Sequence, residues 1–219
     1  MYPEFGDDAA LPASAIDLGG DYVLLRPADR YAYKLPMAQS TLLNEYVARV
    51  SNTGVQAWEA RIYRWARLRL PTGQIARTLW KEGVLEQRGK QPRRARMVKL
   101  SQNRFAEVQF FFRLQIRERT HTLAIVSIFS PPDVTILKES MYTVLACRYG
   151  GAETYEVIPV TDIKAAVAMV PLPLTHAEEA HPADFADRFF VVEKPGLEIA
   201  YMGGRMDSMD EDEDDIDLD

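Results

Sequence analysis

Cysteine is nearly absent from this chain of 219 residues, with Cys147 the only one. A single cysteine excludes a disulfide framework within the chain. It sits in the apolar run "TVLACRY", where a thiol reads as a small buried residue, and a reducing intracellular compartment follows as the default. Histidine is scarce too, with three residues at 121, 176 and 181. Three histidines and one cysteine cannot build a zinc finger or ribbon. "LGG" and "YGG" match neither the Walker nor the dinucleotide fingerprint, and no G-x-S-x-G elbow occurs. A thiol held mid-strand among apolar neighbours stays protonated, which argues against a Cys147–His dyad. The Glu178–Glu179 pair lies in a linker and reads as solvated charge. No apolar run reaches the roughly 18 residues of a membrane span. The first twenty residues lack the basic and apolar regions of a signal peptide. These absences lead us to expect a non-enzyme with no catalytic residue, no metal site, no cofactor and no membrane association.

What is present is charge, unevenly placed. Residues 57–119 hold 16 Lys/Arg against 5 Asp/Glu, whereas residues 207–219 hold nine acidic residues and no basic one. The net charge of −6 therefore conceals a basic middle and an acidic end. Such asymmetry points to a polyanionic partner, or to the tail acting as one.

Residues 1–20 read as a loose lead-in, 21–205 as one β-rich domain with a basic hairpin and loop insert at 57–103, and 206–219 as a disordered acidic tail. "DYVLLRP" is a strand candidate. Pro36 suits a helix start, Leu43, Tyr46, Val47 and Val50 recur at helical spacing, and Asn52 or Gly54 can end the helix. From Trp58 onward the period is that of strands. Ala66, Leu68 and Leu70 alternate with Arg67 and Arg69, and "PTG" offers a turn with Gly73 at positive φ. Residues 79–103 read as a long polar loop with a short helical or extended piece. Strands are expected at 104–117, 121–129, 142–149, 154–160, 165–172 and "DRFFVVEKPG", with a turn and one helical turn in "SPPDVTILKES". "THAEEAHPADF" reads as a linker with a capping box from Thr175 to Glu178. Short strands at this spacing predict a mainly β (α+β) module: an antiparallel β-barrel, BAH-like or SH3-like, with an N-terminal helix and short peripheral helices.

The basic stretch is the candidate binding surface. Arg61, Arg64, Arg67, Arg69 and Arg77 line the hairpin, and Arg88, Lys90, Arg93, Arg94, Arg96 and Lys99 crowd the loop after it. Arginine offers a fixed charge and several donors, which is what phosphate recognition needs. Trp58, Trp65 and Trp80, with Tyr63, interleave with these cations and could stack on bases or pack on guanidinium planes. "KQPRRAR" is also a short nuclear-localisation pattern. DNA or chromatin, meaning a nucleosome or an acidic protein, is the expected partner, and the nucleus the expected location. The alternatives are a solvated basic face and a protein-interaction module without nucleic-acid contact.

"RFAEVQFFFRLQI" (104–116) poses a separate question, because successive strand residues point to opposite faces. The even positions Ala106, Val108, Phe110, Phe112, Leu114 and Ile116 are apolar and predict a core face. Phe111 is left on the opposite, mixed face beside Gln109 and Arg113. We expect the N-terminal helix or the basic loop to cover it, or else that it marks a docking surface.

The ordered motifs "RFAEVQFFFRL", "HTLAIVSIFSPPD", "YTVLACRYGG", "YEVIPVTDIKAAVAMVP" and "RFFVVEKPGLEIA" resemble the C-terminal region of fungal Plavaka-type transposon proteins, of the CACTA-related DDE group. "LGGDYVLLRP" and "RLRLPTGQIARTLWKE" resemble pieces of the same region. The resemblance implies a stand-alone or domesticated tail fragment without the acidic catalytic triad of that family. The same order is more remotely similar to a BAH domain, with "SPPD" in place of its "RPE" turn and Ser130 in place of the arginine. That similarity implies a chromatin-binding β-barrel.

Overall fold

The computed structural model describes residues 11–12, 14–55, 58–176, 178–181 and 185–193. Most of the expected lead-in and all of the expected acidic tail lie outside these residues. In chain order the strands are β1 (Ile16–Asp17), β2 (Val23–Ala28), β3 (Tyr33–Lys34), β4 (Arg61–Ile62), β5 (Arg64–Arg69), β6 (Ile75–Ala76) and β7 (Met97–Leu100). They continue with β8 (Phe105–Ile116), β9 (Arg119–Ile128), β10 (Ala146–Arg148), β11 (Tyr155–Pro159), β12 (Ile163–Pro171) and β13 (Arg188–Glu193). Among the described residues three α-helices interrupt them: α1 (Met37–Ser51), α2 (Leu79–Gln87) and α3 (Val134–Glu139). The fold is mostly antiparallel β-sheet with few helices, as the strand spacing predicts.

The long hairpin of β8 and β9 is the spine. β11 extends it on the β9 side. Along its other edge β8 takes two partners. Near its start it pairs with β7, and near Phe111 and Phe112 it pairs with β5. The sheet therefore forks. One branch runs β5–β2–β1, with β6 on β5, and the other runs β7–β12–β13–β10. The branches are tied by side chains. The Gln74 amide donates to Ala166 O (3.2 Å) and accepts from Ala166 N–H (2.9 Å), filling the place of a missing strand neighbour. The Tyr22 hydroxyl donates to Ile163 O at 2.9 Å and to Thr161 O at 3.1 Å.

Three apolar clusters fill the fork. The first, with Leu24, Leu68, Leu100, Phe111, Val126 and Ile163, lies between the branches. The second, with Leu43, Tyr46, Ile62, Phe110, Phe112 and Ile125, lies under α1. The third, with Phe105, Phe129, Cys147 and Val167, lies beside β10 and β13. β8 contributes a phenylalanine to each. It can do so because its register against β9 shifts between Val108 and Phe110, a β-bulge at Gln109. The extra residue inverts the alternation, so Ala106 and Val108 join Phe111 in the first cluster while Phe110 and Phe112 enter the second.

Two expectations are corrected here. The even positions of 104–116 do not share one core face, and Phe111 is not on a mixed face. It is fully buried and is covered by β2, β5 and β12 residues rather than by the helix or the basic loop. The expected strand 142–149 shortens to Ala146–Arg148, because Met141 and Tyr142 take left-handed backbone (φ 53° and 62°). Local details follow the sequence more closely. α1 ends at Asn52, which is left-handed, and Gly73 turns at φ 77°. Gly150 closes the turn before β11, where a Cβ would stand 2.3 Å from the Thr154 side chain.

Candidate nucleic-acid interface

The expected surface divides into two kinds of cation. Arg64 and Arg96 point inward. Arg64 Nε donates to Asp29 Oδ2 at 2.7 Å. Its guanidinium carbon lies 3.8 Å from the Tyr33 ring centre and 4.3 Å from that of Trp80. Trp80 thus holds an arginine of its own chain on its face. Trp65 is half-buried against the first cluster, and Trp58, 39% exposed, is the most open of the three tryptophans.

Arg96 is the hinge of a buried polar network. Its Nη1 donates to Glu82 Oε2 at 2.5 Å and its Nε to Glu107 Oε1 at 2.6 Å. Glu82 also accepts from Ala95 N–H at 3.1 Å. Glu107 Oε2 accepts from the Tyr149 hydroxyl and from Gln109 Nε2 (3.2 Å). Both carboxylates are buried. Removing ions from water is costly unless partners saturate them, and here one guanidinium serves two carboxylates with a phenol and an amide completing the set. Burial works against the charge on Arg96, but its hydrogen bonds to Glu82 and Glu107 outweigh burial and raise its pKa. Burial, and then the hydrogen bond to Glu107, push the Tyr149 phenol up to about 12. Sequence reasoning assigned Arg96 to the surface and did not single out Glu82 or Glu107. Charged residues on a strand or short helix read as solvated, and only contacts distant in sequence bury them.

This network has a positional result. α2 begins at the buried cap Thr78 and carries Glu82, and β7 begins at Met97, next to Arg96. The ion pairs close the intervening segment at its base. Between α2 and Arg96, Arg88, Lys90, Arg93 and Arg94 are exposed. Arg94 makes a surface pair with Glu86 at 3.2 Å, with its side chain 73% exposed. The remaining cations are spread. Arg61 is exposed on β4, Arg67 and Arg69 are half-buried on β5, and Arg77 is half-buried before α2. The Arg67 Nε donates to Arg26 O. Lys99 pairs with Glu193 at 2.7 Å. Four of the eleven expected cations, Arg88, Lys90, Arg93 and Arg94, thus share one exposed loop.

Elsewhere, burial pushes the Cys147 thiol up to about 11, the state of an inert core thiol. Half of the expected capping box is present: Thr175 N–H donates to Glu178 Oε2 at 2.9 Å, while Glu178 N–H donates to the Thr175 carbonyl. Arg188 also donates to Glu178, and this bond first, then the Thr175 backbone bond, holds that carboxyl at about 2. Among the described residues no helix is long and apolar enough to cross a membrane. Compared with models of protein families, with curated proteins and with solved structures, the chain matches none of them.

Proposed function

We propose that the chain is a non-enzymatic module that binds DNA, naked or in chromatin, through the basic loop between α2 and β7. The observation that carries this reading is the loop itself: Arg88, Lys90, Arg93 and Arg94 are exposed within seven residues, on a segment whose base is pinned by Arg96, Glu82 and Glu107. Pinning limits the entropy lost when the loop meets a partner. Contacts to phosphate dominate in such a surface, so binding is weakly selective for sequence and steeply dependent on salt. The acidic tail competes for the same cations as an internal polyanion. The nucleus is the matching location, and transposon descent remains the origin that the ordered motifs imply.

The barrel form of the fold, BAH-like or SH3-like, belongs to the same proposal. Its support is the isolated bridge between Phe129 and Tyr149, which links the end of β9 to the end of the branch that β7 starts.

A shift assay with mixed-sequence duplex DNA over a salt series tests the function. Arg88, Arg93 and Arg94 changed together to Glu should lower the salt slope by about three, near 0.9 for each phosphate no longer neutralised. Absence of binding at about 50 mM salt, with or without residues 207–219, would sink the reading, because phosphate contacts are strongest there. A protein-interaction module is the second reading, favoured by the exposed apolar knuckle of Met141 (82%) and Tyr142 (71%) after α3. Capture of a partner that survives nuclease treatment and is lost in Tyr142→Ser would favour it.

A further inference from the structure

Asn44 stands in the middle of α1 at 7% exposure, and neither end of its side-chain amide has a hydrogen-bond partner among the described residues. The two ends differ in what they meet. Oδ1 is sealed inside the protein, whereas Nδ2 keeps accessible surface where Asn44 lines a cavity. Buried amides are normally satisfied, so a donor held open at a cavity wall marks the place of an acceptor. It also carries a cost, since an unpartnered buried amide is less stable than a leucine of similar size would be. The cavity measures about 680 Å³, the size of a small-molecule pocket, and lies between the first turns of α1 and the approach to β4. None of its lining residues belongs to the basic loop.

The rest of the lining decides the charge of what fits. Met37, Ser40, Thr41 and Asn44 form one wall, at the spacing of a single helix face. Leu35 and Trp58 add apolar surface, and the Lys34–Glu59 ion pair (2.8 Å) stands at the rim. The Lys34 hydrogen bond holds the Glu59 carboxyl below its usual range, so the pair is ionised and its charges cancel. A cation is disfavoured by the positive end of α1, whose first turn holds no acidic residue. An anion is disfavoured at Asn44, because one neutral N–H does not offset the desolvation of a carboxylate. Asn44 also lies about two turns into the helix, beyond the reach of the dipole. Ser40 Oγ donates to Leu35 O at 3.3 Å and Thr41 Oγ1 to Met37 O at 3.0 Å, so Asn44 supplies the uncommitted side-chain donor of this wall. At the mouth, Met37 is 86% and Trp58 39% exposed, a thioether and an indole that favour a flat ring body.

We propose that this cavity binds a neutral cyclic carbonyl compound of one or two rings, whose oxygen accepts from Asn44 Nδ2 while its body packs on Leu35, Met37 and Trp58. 1-Indanone, indane and indole are probes of nearly one size: the first presents an acceptor, the second neither group and the third a donor. Each is titrated into the full chain and followed by the chemical shifts of backbone amides and tryptophan ring N–H groups. 1-Indanone is expected to shift residues 34–44 and the Trp58 ring N–H saturably, and to bind more tightly than indole, whose N–H would face another donor. Asn44→Leu removes the unsatisfied amide and should raise the melting temperature. In that variant the affinity of 1-indanone relative to indane should fall about tenfold, the worth of one hydrogen bond. Trp58→Ala should weaken all three probes. The Arg88, Arg93, Arg94 to Glu variant should bind 1-indanone unchanged, which separates this site from DNA binding. The proposal is overturned if 1-indanone shows no saturable shift, if indole binds wild type as tightly, if Asn44→Leu leaves the 1-indanone-to-indane ratio unchanged, or if the shifts centre on Trp65 or Trp80. The wild-type order of 1-indanone and indole decides the matter even where a variant misfolds.

Discussion

Arg96 sits where single substitutions have the most to break. Replacing it with Met leaves Glu82 and Glu107 buried without a counter-charge, and a broken buried pair costs about 3–5 kcal/mol. Urea denaturation should show that loss. Adding Glu82→Gln and Glu107→Gln in the same chain should recover a large part of it, since the uncompensated charges go as well. Tyr149 sets an alkaline limit. Its folded pKa lies near 12, above the usual 10. The neutral phenol is the form the fold prefers, so its contribution is complete below pH 10 and is lost as pH rises toward 12. Tyr22, Tyr46 and Tyr155 are also raised, by burial first, and act in the same direction. Stability measured from pH 9 to 12 should therefore fall, and the fall should be shallower in Tyr149→Phe. At this scale the sequence was legible for Cys147, whose apolar neighbours predicted burial. It was not legible for Glu107, whose partners Arg96 and Tyr149 stand just before β7 and just after β10.

Elements were easier to read than their connections. α1 is visible in Leu43, Tyr46 and Val47 at helical spacing and in Asn52 as a stop, although Val50 of the same pattern is 41% exposed. The β5–β6 turn was visible in Gly73. What single-strand periodicity could not reveal is the bulge at Gln109, since a bulge is defined by the partner strand. Phe111, a misfit in the even–odd pattern, was its only trace. Deletion of Gln109 removes the bulge and leaves plain alternation from Val108 to Phe110, so Phe110–Phe112 should keep their faces and the amide spectrum should stay dispersed, with the loss limited to the Gln109–Glu107 hydrogen bond. Gln74 links the branches in the manner of a strand. Gln74→Ala removes two hydrogen bonds to Ala166 and should cost about 1–3 kcal/mol by thermal or urea melts.

At the scale of the whole molecule, segregation of charge was legible and its geometry was not. The sequence holds twelve cations from Arg61 to Lys99, eleven of them expected at the surface; the fold turns Arg64 and Arg96 inward and leaves four along one loop. Hydrogen exchange should rank the molecule. Amides of β8 and β9 should be slowest, and those of 88–95 should exchange by local opening without global unfolding.

The fork at β8 also decides how this protein can be divided. Phe105, Phe111 and the Phe110–Phe112 pair belong to three different cores, yet they stand on one uninterrupted stretch of backbone. A cut within β8 would take wall residues from all three cores at once. The described residues are therefore expected to unfold in one transition, and a fragment cut within β8 should fail to fold.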